Sequence, residues 1–327
     1  MGRSRGAGAP PPRYDGGVAV IFVFVDGVGA GLPDPDRNPL ARSELLLSRF
    51  ADGSGSPLPA GGRAVLADAC LGVPGRPQSA TGQTTIFTGE NAPAQVGRHV
   101  LGFPNAPLRE LLRARSLFRA LAAAGRTAVF ANAYPLAYLR ALGLEADGEP
   151  EPLRVGRRAR AGATTLAYAA GGFRFRTWAD ARAGRALTHD LTGRQARAHG
   201  AGLPERGPEE AAEILRGLAA GADLALVEFF ETDEAGHARS MEAALDALHR
   251  IDAFLRALVG GLGPDDALVV ASDHGNVEDL SIRNHTRAPV PVLGFGRAAG
   301  ALDGVRDLTD LAPLLLRLAG ALAPASR

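Results

Sequence analysis

Lysine is absent from this 327-residue chain, so every fixed positive side chain is an arginine. Schiff-base and lysine general-base mechanisms are therefore closed to it. A genome biased toward Arg, Ala, Gly and Pro codons accounts for the lack itself. A strong excess of either charge is also missing: 36 basic residues face 35 acidic ones, for a net charge of +1. That balance gives no general reason to expect binding to nucleic acid or to a membrane surface. The one cysteine, Cys70, excludes an internal disulfide framework and a cysteine-rich zinc site. It reads as a small buried apolar residue. No apolar run is long enough to span a bilayer. The first such stretch, Val18 to Val25, runs into Asp26 with no small-residue cleavage pattern. The expectation is a cytoplasmic protein.

What is present is a 46% hydrophobic content, enough for one large domain or two smaller ones. The Pro/Gly/Arg-rich start, residues 1–16, reads as a disordered tail. Strands are expected at Val18–Val25, Ala64–Leu71, Thr127–Ala131, Asp223–Phe230, Ala267–Ala271 and Pro289–Gly294. Helices are expected at Leu40–Phe50, Ala80–Thr88, Leu108–Ala124, Leu136–Leu142, Pro208–Ala220, Met241–Val259 and Leu308–Leu318. Strands alternating with helices predict an α/β fold, a mostly parallel sheet with helices on both faces. Between residues 104 and 200 arginines crowd in, among them Arg154, Arg157, Arg158, Arg160, Arg174, Arg176, Arg182 and Arg185, and apolar periodicity weakens. That range reads as a small inserted cap, with the core formed by 17–103 and 201–327.

Four short islands carry potential metal ligands: Asp26 in VFVDGVGAG, Ser79 in PQSATGQTTIFTG, Asp233 and His237 in ETDEAGH, and Asp273, His274 and His285 in ASDHGNVEDLSIRNHT. Carboxylate, imidazole and hydroxyl groups at the ends of apolar runs are what a two-metal phosphoryl-transfer site needs. Asp26, Asp233 and Asp273 each follow an apolar strand closely, so the three would meet on one rim, where carboxylates repel unless cations lie between them. Asp233 and His237 are four apart and share a helical face. Each piece has a plainer reading. Asp26-Gly27 could be a turn, the Asp233/His237 pair a surface ion pair, and Ser79 an N-cap.

Taken together, the islands resemble the metalloenzyme core of the alkaline phosphatase superfamily. The nearest branch is that of cofactor-independent phosphoglycerate mutase and phosphopentomutase. DEAGH and DHGNVED look more like the former, and HTRAPVP more like the latter. The resemblance implies one metal held by Asp233, His237 and His285, and another held by Asp26, Asp273, His274 and Ser79. It implies that Ser79 is the nucleophile that carries the phosphoryl group, with Thr81 the weaker candidate. It also implies two divalent ions, Mn2+ or Zn2+. Gln83 stands where both mutases carry a histidine.

The activity expected is phosphoryl transfer through a phosphoserine on a small phosphorylated substrate, mutase-like. A phosphomonoesterase or phosphodiesterase on the same core is the alternative. A sulfatase fits poorly, because SATGQ lacks a C/S-x-P-x-R setting. Arg287, near His285, is the arginine expected at the phosphate.

Overall fold

The computed structural model describes residues 19–144, 146 and 159–323. The expected tail, together with Arg154, Arg157 and Arg158, lies outside the described residues. Among the described residues, eight strands occur in chain order: β1 (Val20–Val25), β2 (Arg63–Ala67), β3 (Ala128–Phe130), β4 (Ala133–Tyr134), β5 (Arg176–Thr177), β6 (Leu224–Phe229), β7 (Ala267–Ala271) and β8 (Val290–Gly296). Six of them form one sheet in the order β2-β8-β7-β1-β6-β3. β7, β1, β6 and β3 run parallel, and β8 lies antiparallel between β7 and β2. The α/β expectation holds.

β1 explains why the sheet is covered twice. Its six residues, VIFVFV, are all buried, and alternate side chains leave on opposite faces. Val20, Phe22 and Phe24 enter one apolar layer with the helices Ser79–Thr88, Leu117–Ala123, Ala163–Ala169 and Leu311–Leu318. Ile21, Val23 and Val25 enter the other, with the helices Pro208–Ala219 and Met241–Gly260. Phe87 fastens the helix that begins at Ser79 to β1. Its ring lies 6.3 and 6.1 Å from those of Phe22 and Phe24, and 6.1 Å from that of Phe118. Phe87→Ala is expected to cost about 3–5 kcal/mol of unfolding free energy, read as a lowered urea midpoint. An unmoved midpoint would contradict this role.

Two expected helices differ from the structure. Residues 40–50 hold only a 3-10 turn at Pro39–Ala41. There the Asn38 side chain accepts from Leu40 N at 2.9 Å, and Ser48 Oγ donates to Leu40 O at 2.7 Å and to Ser43 O at 3.0 Å. Short polar side chains have taken the backbone groups a helix would use. Residues 108–124 form two helices, Ala106–Arg115 and Leu117–Ala123. Ser116 separates them, accepting from Phe118 N at 3.1 Å while donating to Ala167 O at 2.7 Å.

The range 104–200 is divided between two environments. β3 is an edge strand of the main sheet, and the helices Ala106–Arg115 and Ala163–Ala169 pack on Ser79–Thr88. The rest includes the β4-β5 pair with the helices Trp178–Arg182 and Arg194–Ala198, around a small cluster that includes Ala133, Trp178 and Leu203. No helix among the described residues is long and apolar enough to cross a membrane.

Candidate metal centre

The neighbouring parallel strands β7, β1 and β6 end at one edge, the edge where open α/β sheets bind ligands. Asp26 leaves β1, and Asp273 and His274 follow β7. The helix Glu231–Ala238, after β6, carries Asp233 and His237 on one face. Gly27 is required at this edge. Its φ is +74°, and a Cβ there would come within 2.6 Å of Asp233 Oδ1.

Asp233, His237 and His285 form a first group. His237 Nε2 lies 3.3 Å from Asp233 Oδ2 and 3.2 Å from His285 Nε2, which is 3.6 Å from Asp233 Oδ1. The other ring nitrogens fix the tautomers. His285 Nδ1 lies 3.1 Å from Pro77 O, and His237 Nδ1 lies 3.3 Å from Arg283 O. A carbonyl only accepts, so each Nδ1 carries the proton and each Nε2 presents a lone pair. Two imidazole lone pairs and a carboxylate facing one another fit a divalent cation.

Asp26, Asp273 and His274 form a second group. His274 Nε2 is 3.3 Å from Asp26 Oδ1, 3.5 Å from Asp273 Oδ2 and 2.9 Å from Ser79 Oγ. Asp26 Oδ1 and both Asp273 carboxylate oxygens are buried without a hydrogen-bond donor. Burial, followed by the charges of Asp273 and Asp233, raises Asp26 well above the usual carboxylate range. Burial, followed by Asp233, raises Asp273 to about 7. Burial holds His274 and His285 down to about 4. Crowded carboxylates that resist ionising beside imidazoles that resist protonation again suit a cation. The His274 and His285 rings stack at 3.7 Å, so the two groups share a wall.

All seven expected ligands therefore come together. Ser79 is the first residue of its helix, not the cap. Gln78 holds the cap position and makes no side-chain cap bond. Thr81 is buried, and its hydroxyl is used by Gln78 O at 3.1 Å and Val100 N at 3.2 Å. Gln83 Nε2 donates to Asp26 Oδ2 at 3.2 Å. Arg287 is exposed, with its Nε on Gly75 O at 2.8 Å.

Sequence reading missed the residues that hold these ligands. Asn276 Nδ2 donates to Asp233 Oδ1 at 2.6 Å. Glu278 Oε2 accepts from Gly29 N at 3.0 Å and Asn276 N at 2.7 Å, while Thr286 Oγ1 donates to Oε1. One carboxylate thus ties together the loops that carry Asp26, His274 and His285. The available signal was DHGNVED itself, which holds three more polar side chains than the ligands need, Asn276, Glu278 and Asp279. Glu278→Ala leaves two buried backbone donors unpaired, at about 1–3 kcal/mol each. A clearly lowered melting temperature is expected, together with weaker cation retention on dialysis. A variant that melts and retains cation like the parent would contradict the tie.

A model of the Metalloenzyme superfamily matches residues 207–321. The 2,3-bisphosphoglycerate-independent phosphoglycerate mutase of Cereibacter sphaeroides (strain ATCC 17025 / ATH 2.4.3) is 34% identical over 121 residues, 35% of this chain and 24% of that relative. The match thus spans about a quarter of the curated relative. Among solved structures, the PH0037 protein of Pyrococcus horikoshii superposes with a TM-score of 0.55 at 14% identity, covering 95% of this chain and 99% of that one. The alkaline phosphatase of the Antarctic bacterium TAB5 gives 0.53 at 13% identity, covering 93% and 99%. Residues 207–321 thus resemble the Metalloenzyme superfamily, about a third of the chain resembles a phosphoglycerate mutase, and the chain shares its fold with an alkaline phosphatase, in agreement with the likeness carried by the four islands.

Proposed function

We propose that the protein is a binuclear-metal phosphoryl-transfer enzyme, acting in the cytoplasm through a phosphoserine at Ser79 on a small phosphorylated metabolite. The observation that carries this reading is the position of Ser79 Oγ. It lies 2.9 Å from His274 Nε2, where the two ligand groups adjoin, on the first residue of a helix whose leading N–H groups are unused by its own turns. Asp233, His237 and His285 would hold one divalent ion, and Asp26, Asp273, His274 and Ser79 the other. Mixed carboxylate and imidazole donors suit manganese or zinc. Bound there, the ions would supply Lewis-acid polarisation and ease the deprotonation of a hydroxyl. Ser79 Oγ attacks phosphorus in line, and the first-turn N–H groups face the phosphoryl oxygens. Arg287 is proposed as a phosphate contact, since guanidinium pairs with phosphate through two parallel bonds.

The second acceptor decides the activity. A hydroxyl of the retained substrate gives a mutase, and water gives a phosphomonoesterase. We assign that choice to the β4-β5 pair and its two helices, which act as a reduced cap. Mass spectrometry after exposure to glycerate or pentose phosphates tests the common step. Phosphate on the peptide holding Ser79 supports it, and phosphate on another peptide overturns it.

A further inference from the structure

One carboxyl near the rim has no part in the metal groups. Glu228 interrupts the apolar run of β6 and pairs in register with Phe24 of β1. Leu224 and Leu226, its alternate neighbours, enter the layer beneath the Ser79 helix. By alternation Glu228 points there too, diagonally below Asp26. Its side chain is 12% exposed. Asn132 pins the backbone at this point, donating to Glu228 O and accepting from Glu228 N, both at 2.8 Å. Thr164 Oγ1 donates to Oε1 at 3.1 Å, and His189 Nε2 lies 3.8 Å from Oε2. His189 in turn packs on Tyr134 and lines a cavity of about 300 Å3 with Tyr134, Trp178 and Gln195. Glu228 thus lies between Thr164, on a helix packed against the Ser79 helix, and His189, which lines a cavity with aromatic walls.

We propose that Glu228 gives a proton to the departing alcohol oxygen of the substrate and takes one from the incoming hydroxyl, while the cavity behind His189 receives the alcohol portion. This rests on the phosphoserine reading and narrows the substrate to phosphomonoesters of alcohols. In the first half, the bond from Ser79 Oγ, already deprotonated, to phosphorus forms as the ester P–O bond breaks. The electron pair leaves with the substrate oxygen, which takes the Glu228 proton. In the second half, water or a second hydroxyl yields its proton to the Glu228 carboxylate as its oxygen bonds to phosphorus. The Ser79 Oγ–P bond then breaks, and both residues return to their starting states.

The surroundings suit a group that works in both directions. Burial lifts Glu228 to about 7, Asp273 adding to the rise and the Thr164 hydrogen bond opposing it. A carboxyl that titrates there can serve as acid and as base near neutrality. The other titratable groups facing this region are Asp26 and Asp273 on the rim, His189, which burial holds down to about 4, and the raised phenols of Tyr134 and Tyr138.

The test compares glycerol 2-phosphate, whose alkoxide needs a proton to depart, with 4-nitrophenyl phosphate, whose phenolate does not, on the manganese-loaded enzyme. Glu228→Gln is expected to shift kcat/KM selectivity against the glycerol ester about a hundredfold. Equal losses on both esters, in a variant that melts like the parent, overturn the proposal. The parent alone supplies a second arm that needs no variant. Its glycerol-ester rate should fall relative to its aryl-ester rate as pH rises and the Glu228 carboxyl loses its proton, and superimposable profiles overturn the proposal. Phosphate on Ser79 from the aryl ester, with either of those failures, leaves the phosphoserine reading standing and removes this one. No phosphate on Ser79 from either ester removes both.

Discussion

Ser79→Ala should lose at least about a thousandfold in turnover of any phosphate ester the parent accepts, and all covalent phosphate. Losses of that order are what removal of an attacking hydroxyl costs when the rest of the site survives. The rest should survive here. Ser79 opens its helix without capping it, so alanine removes one hydroxyl and leaves the backbone bonds intact. Phe87 still fixes the helix to β1. Alanine is also a better helix former than serine. The variant should therefore melt at or near the parent temperature, which separates lost chemistry from lost fold. Near-parental turnover by a folded Ser79→Ala protein would remove the phosphoserine from the scheme. Thr81→Ala makes the contrast. Its hydroxyl bonds Gln78 O and Val100 N, so it should lower stability and leave the phosphorylated position unchanged.

The second large effect is that of chelation, and it depends on pH. Without cations, the folded protein carries protons on Asp273 and Glu228 up to about pH 7, and Asp26 is raised as well. Raised carboxyl values mean that the folded state binds more protons than the unfolded chain, so these groups lower stability as pH climbs from their ordinary range to about 7. His274 and His285, held to about 4, act the other way. The unfolded chain protonates its histidines first, so these two raise stability as pH climbs from about 4 to 6.5. The two sets oppose each other below about 6.5, and only the carboxyls still titrate above it. Cations replace those protons and bind more tightly as pH rises. Saturating cation, a thousandfold above its dissociation constant, adds about 4 kcal/mol per site, or about 12 °C in melting temperature for two sites in a chain of this size. The gap between manganese-loaded and chelated protein should therefore be about 10 °C or more at pH 8 and smaller at pH 6, by calorimetry. Superimposable curves at pH 8 would mean that the seven ligands hold no metal.

The sequence carried the sheet and the rim well for reasons that differ by residue. VIFVFV has apolar side chains for both faces, so its double burial followed from composition alone. Asp273 and His274 were legible because a buried strand ends just before them. The stretch 40–50 misled because its leucines have helical spacing, while Asn38 and Ser48 claim the backbone through contacts that spacing does not reveal. Ser116 split a helix for a partner, Ala167 O, that is distant in sequence. Asn276 and Glu278 looked like ordinary loop polars, and their importance comes from Asp233, Gly29 and Thr286, which only folding brings near. The arginine-rich range drew attention by composition, yet part of it is sheet edge and helical packing.

The second ligand group draws Asp26 from the first strand and Asp273 from the seventh, joined through the β1-β7 pairing. During synthesis, a growing chain can own no complete group until His274 has left the ribosome, and His285 must follow to close the other. On the proposed function, cation capture is a late event of biogenesis. It can lock a finished fold but cannot help to start one, and chains stalled before β7 should leave the cell's metal pool untouched by this pair of sites.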